Sequence, residues 1–178
     1  MTGANKLIYE IEVNKLWTDE LELKRNEFIS EKGKLNSNLY FIIEGSLRLF
    51  VSNETEEQTI RFGYTNNFIT ALDSFITDEP SDYYIEALKK TKVKVISKQV
   101  FMNLINSSTE LFQIWTSVLQ HIILQQLERE KDILNSSPIE RYTRVLSRSP
   151  QLFQEIPSKY IADYLRMTPE TLSRIKKS

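Results

Sequence analysis

Cysteine is absent from this sequence of 178 residues, and glycine, proline and histidine are scarce, with four, five and one residues respectively. Without cysteine the chain can form no disulfide, no cysteine zinc finger, no thiolate-bound haem and no cysteine-ligated iron-sulfur cluster. There is no run of about 18 apolar residues and no basic-then-apolar amino terminus, so we expect neither a membrane span nor a secretory signal. These absences predict a cytoplasmic protein with no metal site and no cofactor.

The composition is that of an ordinary globular chain, with 40% hydrophobic and 26% charged residues. Charge is distributed unevenly along it. Residues 138–178 hold eight basic and four acidic side chains, a net charge of +4, which leaves a net charge of −5 on residues 1–137. A basic tail on an acidic body fits a module that faces a nucleic-acid duplex, although a solvated basic surface explains the charge equally well.

Residues 21–95 show the alternation of apolar and other side chains that is typical of antiparallel strands. We expect turns at Gly33, Gly45 and Gly63, and later strands over residues 83–87 and 93–96. The first 20 residues predict only a short helix or strand. The region as a whole predicts an antiparallel sandwich or barrel.

A long helix is predicted from Ser108 or Thr109 to about Asn135. Its apolar stripe repeats at spacings of four, three and four residues, through Leu111, Trp115, Val118 and Ile122. We interpret this stripe as a helix that packs on its own domain along one edge and pairs with a second copy along the other. Burial against its own domain alone is the alternative. A hinge-like break at residues 136–138 and another short helix follow.

The last twenty residues predict two short helices joined by a tight turn. We expect Ser158 to cap the first helix, and Thr168 followed by Pro169 to begin the second. At about 100° per residue, Leu172 and Ile175 fall opposite a polar face. That face offers groups that read bases in a major groove, although any packed helical hairpin has similar spacing. Its members are Glu170, Ser173, Arg174 and Lys177.

Several motifs resemble those of the cyclic-AMP receptor and fumarate-nitrate regulator family (Crp/Fnr family) of bacterial transcription factors. They are LYFIIEGSLRL at residues 39–49, Asn67-Phe68-Ile69, IADYL at residues 161–165 and TPETLSRI at residues 168–175. The resemblance implies an α+β chain in three parts. These are a cyclic-nucleotide-binding-like jelly roll (β-roll) over residues 1–108, a dimerisation helix over residues 109–136, and a shortened winged-helix-like helix-turn-helix over residues 137–178.

By position in the family, Glu170 and Arg174 would read bases. Pro169 stands where several relatives have a further base reader, and it has no donor to offer. Arg166 stands where relatives often have glycine, so the turn needs a positive φ or a different shape. The resemblance implies a homodimer on a pseudo-palindromic operator of double-stranded DNA, and it allows RNA polymerase as a further partner. The implied DNA contacts are Thr168, Pro169, Glu170, Thr171, Ser173, Arg174 and Lys177.

The segment that holds a cyclic nucleotide in relatives departs from the family pattern. The arginine that pairs with the cyclic phosphate is replaced by Ser81, and three acidic residues lie nearby. We therefore expect that cyclic AMP is not the effector. The pocket would hold an unknown neutral or hydrophobic molecule, or its own side chains. Its expected lining is Ile69, Thr70, Ala71, Leu72, Ser81, Tyr83 and Gln125.

Nothing in the sequence favours an enzyme. His121, the single histidine, reads as a polar residue near a dimer seam, with a haem ligand or pH sensor as the alternative. The acidic run Glu54, Glu56 and Glu57 reads as a solvated turn. The leading hypothesis is a DNA-binding regulator. The competing one is a ligand-binding or protein-interaction module whose helix-turn-helix no longer binds DNA.

Overall fold

The computed structural model describes residues 3–53 and 56–177. The strands within these ranges are β1 (Asp19–Leu23), β2 (Phe28–Ser30), β3 (Leu39–Glu44), β4 (Ser46–Ser52), β5 (Glu57–Tyr64), β6 (Phe68–Ile69), β7 (Tyr84–Ala87) and β8 (Thr91–Ile96). The helices are α1 (Gly3–Val13), α2 (Leu72–Thr77), α3 (Lys98–Asn106), α4 (Thr109–Leu134), α5 (Pro138–Arg148), α6 (Pro150–Glu155), α7 (Ser158–Tyr164) and α8 (Pro169–Ile175). Among the described residues, no helix is both long and apolar enough to cross a membrane.

The strands form two antiparallel sheets of four, in the orders β1-β8-β3-β6 and β2-β7-β4-β5. Side chains alternate along β4 between the two faces of its sheet. Leu47 and Leu49 point into the space between the sheets, where they meet apolar residues from both. Arg48 and Phe50 point to the outer face. The α+β class, with antiparallel sheets followed by helices, confirms the predicted fold class.

Gly45 makes the tight connection between β3 and β4. Its φ is +103°, and a Cβ at this position would lie 2.3 Å from the Thr91 hydroxyl oxygen and 2.6 Å from the Lys90 carbonyl oxygen. Only glycine fits both the backbone conformation and the space. The turn predicted at Gly63 is wrong, because Gly63 lies inside β5, where a Cβ would come within 2.7 Å of the Ile42 side chain.

The amino-terminal stretch is a helix, and it packs with α3 and the first half of α4. Leu7 and Ile11 of α1 join Phe101 and Trp115 in a second apolar core. The rings of Phe101 and Trp115 meet edge to face with centroids 5.0 Å apart. This core attaches α4 to the sheets, which leaves the second half of the helix to contact the carboxyl-terminal helices.

A buried arginine lies on the outer face of the second sheet. Arg48 forms ion pairs at 2.6 Å with Glu86 and at 2.5 Å with Glu57, and both Arg48 and Glu86 are only 6% exposed. Glu57, the first residue of β5, pairs with this buried cation while its own side chain stays 52% exposed to solvent. Glu56 is exposed, and Glu54 lies outside the described residues.

The predicted break between α4 and α5 is present, and hydrogen bonds hold the backbone around it in place. The Ser137 hydroxyl caps α5 by accepting from the Glu140 amide, and Pro138 occupies the first turn. Arg141, which is 8% exposed, donates to the carbonyls of Asn135 at 2.6 Å, Leu165 at 2.8 Å and Arg166 at 3.0 Å. The predicted hinge is thus held to the terminal turn by one buried side chain.

We expect Gly45→Ala to lower the free energy of unfolding by at least about 1 to 3 kcal/mol, since the left-handed backbone and the contacts with Thr91 and Lys90 act together. Gly33→Ala is the matched control, because Gly33 also has a positive φ, +81°, but a Cβ there meets nothing within 4 Å. Urea unfolding monitored by circular dichroism measures both changes. Equal losses for the two variants would contradict the steric explanation.

Candidate nucleic-acid interface and effector region

The terminal unit consists of α7, a tight turn and α8. The Thr168 hydroxyl accepts from the Thr171 amide at 3.2 Å, and Pro169 follows it, so the predicted start of α8 is confirmed. The predicted cap of α7 is wrong. Pro157 occupies the N-cap position, and the Ser158 hydroxyl instead accepts from the Lys176 ammonium at 2.8 Å. That bond connects the two helices of the unit.

The two faces of α8 divide as the spacing predicts. Leu172 is 1% exposed and packs in an apolar cluster with Ile161 and Leu165 of the first helix and turn. Most of the residues predicted to contact DNA lie exposed on the outer side, and Thr171 is half-buried beside them. The exposed residues are Thr168, Pro169, Glu170, Ser173, Arg174 and Lys177.

The charge at the start of α8 is well defined. The pKa of Glu170 lies below its usual value because its carboxylate accepts hydrogen bonds from its own backbone amide and from the Thr168 side chain. Glu170 is therefore an ionised acceptor at neutral pH, at the helix end that favours negative charge. Arg174 stands one turn further on, with its guanidinium 3.5 Å from the Thr171 hydroxyl oxygen.

The turn between α7 and α8 has a positive φ at Arg166, one of the two possibilities that the sequence left open. Arg166 has a φ of +54°, so an arginine occupies a left-handed position that glycine favours. Its carbonyl accepts from Arg141, and its guanidinium donates to the Gln58 side chain of β5 at 2.7 Å. The strain of the turn is offset by bonds to both sides of the molecule.

The terminal unit packs directly on the outer face of the second sheet. The Thr59 amide of β5 donates to the Asp163 carboxylate at 2.8 Å. Arg129 of α4, 5% exposed, donates to the Thr59 carbonyl at 2.5 Å and to the Tyr164 carbonyl at 3.0 Å, with its guanidinium 4.1 Å from the centre of the Tyr164 ring. Burial lowers the pKa of Arg129. One buried cation therefore joins the sheet, the long helix and α7.

Sequence reasoning missed this role of Arg129. A signal was available, because the stripe through Leu111, Trp115, Val118 and Ile122 continues at the same spacing through Arg129 and Asp132. Both of these charged residues are buried, Arg129 at 5% and Asp132 at 3% exposure. Asp132 accepts from Arg144 and Arg148 of α5. Charged residues that continue an apolar stripe indicate a buried polar contact between elements.

The residues predicted to line an effector pocket are mostly occupied by internal contacts. Ile69 and Ala71 are buried between the sheets, and Tyr83 packs beside them. Leu72 packs against the core of α1, α3 and α4, while the Thr70 hydroxyl donates to the Asn38 carbonyl at 2.8 Å. These side chains therefore contact other parts of the protein itself.

Ser81, at the position of the missing arginine, faces a carboxylate. Its hydroxyl lies 2.9 and 3.0 Å from the two carboxylate oxygens of Asp73, and the Asp82 amide donates to Asp73 at 2.8 Å. Ser81 is 1% exposed. Asp73 belongs to α2, a short helix that the sequence did not predict. The Asp73 carboxylate thus accepts the hydrogen bonds that this segment donates.

Gln125 lies elsewhere, on the wall of an open cavity of about 490 Å³ between β5, α4 and the carboxyl-terminal helices. Val118 and Ile122 line the same cavity, together with His121, whose ring nitrogen Nε2 lies 2.9 Å from the Gln125 amide nitrogen. His121 therefore faces the cavity. Phe112 and Ile123, two exposed apolar residues of α4, lie on the opposite side of the helix.

The residues assigned to the dimer helix lie on its inner side. Leu111 and Trp115 are 5% and 8% exposed and belong to the core of their own domain, so they are not available to a second copy. Other apolar residues of α4 are exposed on a separate face. We call them the outer stripe: Phe112, Ile123, Leu127 and Leu134, which are 52%, 59%, 48% and 77% exposed.

Comparison with known proteins agrees with this architecture. The sequence profile of the family described as "Cyclic nucleotide-binding domain" matches residues 20–108, half of the chain. No curated protein sequence matches the chain.

Three solved structures share its fold at low sequence identity. FixK2 from Bradyrhizobium japonicum has a TM-score of 0.75 and 16% identity, over 89% of this chain and 82% of that one. A CooA mutant from Carboxydothermus hydrogenoformans has a TM-score of 0.73 and 14% identity, over 93% and 77%. The Catabolite Activator Protein of Thermus thermophilus has a TM-score of 0.57 and 19% identity, over 95% and 81%.

Each of these structures covers at least 89% of the chain. The match over residues 20–108 and the shared fold identify the chain as a member of the cyclic nucleotide-binding domain family, with the architecture of the Crp/Fnr regulators.

Proposed function

We propose that this protein is a transcription regulator that binds double-stranded DNA through α8. The observation that carries the proposal is the exposed polar face of α8, opposite a buried Leu172, at the end of a sensor fold. Arg174 presents a guanidinium that can donate to O6 and N7 of a guanine, and ionised Glu170 can accept from N4 of a cytosine. Pro169 offers no donor, so base reading rests on few side chains.

The division of labour in this proposal follows the three predicted parts. Residues 1–108 form the sensor, residues 109–136 connect and pair the subunits, and residues 137–178 bind DNA. The terminal part carries the net positive charge that attracts a duplex. A chain that binds ligands or proteins through a vestigial helix-turn-helix is the competing function, and it would lack a salt-dependent affinity for DNA.

Dimerisation is the second element of the proposal. The outer stripe on α4 leaves four large apolar side chains unpaired, and at 100° per residue they fall within about 60° of one another on the helix. A parallel copy of α4 packed on this stripe would remove them from water. It would also place two α8 helices on half-sites about 34 Å apart, as in other dimeric helix-turn-helix proteins.

We further propose that cyclic AMP is not the effector. The argument rests on Asp73, whose carboxylate accepts from the Ser81 hydroxyl and the Asp82 amide in the segment that relatives use for the cyclic phosphate. A phosphate there would meet a like charge and no arginine.

Arg174→Ala should cost on the order of 1 to 3 kcal/mol of DNA binding per half-site and relax the preference at one guanine. Lys177→Ala should weaken binding to all sequences alike and reduce the slope of affinity against salt, since a phosphate contact is lost. Arg25→Ala, at an exposed turn of the sensor, is the control. The measurement is fluorescence anisotropy on an operator that is first selected from random duplexes.

Two results would count against this assignment. Equal effects of Arg174→Ala on selected and random DNA would remove α8 as the reading element. Binding that does not depend on salt, or no binding, would favour the module with a vestigial helix-turn-helix.

The double change Ile123→Glu and Leu127→Glu should convert the dimer to a monomer near 20.9 kDa. Each substitution places a charge where apolar burial otherwise contributes roughly 1.5 to 3 kcal/mol. Leu35→Glu is the control, because Leu35 is 60% exposed in a loop of the sensor. Sedimentation equilibrium at micromolar concentration decides the point, and a monomeric unmodified protein would refute the proposed pairing.

Calorimetric titration with cyclic AMP and cyclic GMP should detect no binding at micromolar concentration. Loss of the partner of a bound anion costs several kcal/mol, a factor of about a thousand in affinity. Micromolar binding of either nucleotide would mean that another cation serves the phosphate and that Asp73 does not block the site.

A further inference from the structure

Three consecutive backbone carbonyls of the helix-turn-helix each accept a hydrogen bond from a buried arginine. Arg129 of α4 donates to the carbonyl of Tyr164 at 3.0 Å. Arg141 of α5 donates through Nε to the carbonyl of Leu165 at 2.8 Å and through Nη2 to that of Arg166 at 3.0 Å. These carbonyls lie at the end of α7 and in the turn that leads to α8. The two arginines therefore hold the unit where its two helices meet.

Arg141 also reaches the end of the long helix. Its Nη1 donates at 2.6 Å to the carbonyl of Asn135, the C-cap residue of α4, while Leu165 is the C-cap residue of α7. The last carbonyls of a helix have no partner inside that helix and carry partial negative charge. One guanidinium thus satisfies the carboxyl ends of α4 and α7 together, and the two helix ends must stay close to each other.

The bonds of Arg141 fix direction as well as distance. Its side chain is 8% exposed, and within residues 3–53 and 56–177 no carboxylate lies at ion-pair distance from it. Carbonyl groups alone compensate its charge, so each bond that is lost leaves a buried cation with one partner fewer. A guanidinium presents its donors in a rigid plane, which the ammonium of lysine cannot reproduce.

The corner between α4 and α5 is held on its other side as well. Asp132 of α4, 3% exposed, accepts from Arg144 at 2.8 Å and from Arg148 at 2.5 Å. The side chain of Asn135 accepts from the Ser137 amide at 2.9 Å. These contacts fix α5 on α4, and Arg141 extends the fixed corner to α7.

We propose that Arg141 is a positioning residue for DNA recognition, which sets the angle of α8 to α4 and thereby the spacing between the two half-sites. The inference rests on the proposed function, because a dimer paired along α4 carries each α8 on this joint. Because Arg141 is buried, it acts through the placement of α8 and not by contact with DNA.

A fixed joint restricts the operators that a dimer can bind. Moving one half-site by one base pair shifts it by about 3.4 Å and rotates it by about 34° around the duplex. Two recognition helices on fixed joints fit one spacing, whereas helices on loose joints fit several. The affinity for a single half-site depends on α8 alone and is independent of the joint.

The experiment measures binding of the full chain to the selected operator and to versions whose central spacer is shortened or lengthened by one and two base pairs. A duplex with one half-site is measured beside them. The unmodified protein should prefer one spacer by at least about tenfold. Arg141→Met should reduce this preference to about twofold and leave the affinity for the single half-site within about twofold.

Gly45→Ala is the control for a general loss of stability, since Gly45 lies in the turn between β3 and β4 of the sensor, and it should keep the spacing preference. An unchanged preference in Arg141→Met would overturn the proposal. An equal loss of affinity for the single half-site would also overturn it, because Arg141 would then maintain the reading unit itself and not its placement. If circular dichroism shows that Arg141→Met does not fold, Arg141→Lys keeps the charge without the planar fork and should give an intermediate preference.

The absence of cysteine allows a second measurement that needs no DNA. A Gln151→Cys substitution, at an exposed position of α6, carries one spin label per chain. Pulsed electron paramagnetic resonance of the dimer should give one narrow distribution of distances between the labels, and addition of Arg141→Met should broaden it. Distributions of equal width would overturn the role of Arg141. Failure of the unmodified protein to bind any duplex would instead refute the proposed function, and the label distances would still decide the placement.

Discussion

The placement of the terminal helices depends on Arg129. Its guanidinium leaves water to donate to the carbonyls of Thr59 and Tyr164 and to lie over the Tyr164 ring, without a carboxylate partner. Removing a charge from water costs free energy. Two hydrogen bonds to carbonyls and the contact with the ring face offset this cost only while β5 and α7 keep their relative position. A movement of α7 away from the sheet would return this cation to water, so the contact fixes the position of the terminal helices relative to the sheet.

Other buried arginines extend the same type of contact. Arg48 pairs with Glu57 and Glu86 and lies 4.8 Å from the centre of the Tyr160 ring, while Arg141 holds three carbonyls around the α4–α5 break and the Arg166 turn. Such contacts are directional, unlike apolar packing, and they favour one arrangement of the terminal unit over others. Apolar contacts add to the same interface, since Leu88 and Phe62 pack with the terminal helices. The proposed regulator function requires a defined resting arrangement of this kind.

The local elements were largely predictable because their causes are local. Alternation identified the strands, the long stripe identified α4, and Thr168 with Pro169 identified α8. The errors have physical reasons. Gly63 was expected in a turn, but it is a strand residue that lets Ile42 approach. The ion pair of Glu57 was missed because its partner Arg48 lies on a neighbouring strand. The helix α2 was missed because six residues carry too little periodicity.

The sequence by itself determined the antiparallel strands, the length of α4, the polar face of α8 and the serine at position 81, where the resemblance implies an arginine. These follow from side-chain period, capping and residue identity, which are readable within a few residues. Only the tertiary structure decided which stripe of α4 is buried, that Asp73 meets Ser81, and that Arg61 and Arg129 come together at one cavity. Those outcomes depend on how β5, α4 and α7 pack, and contacts between residues some 35 to 104 positions apart leave no periodic trace in the chain.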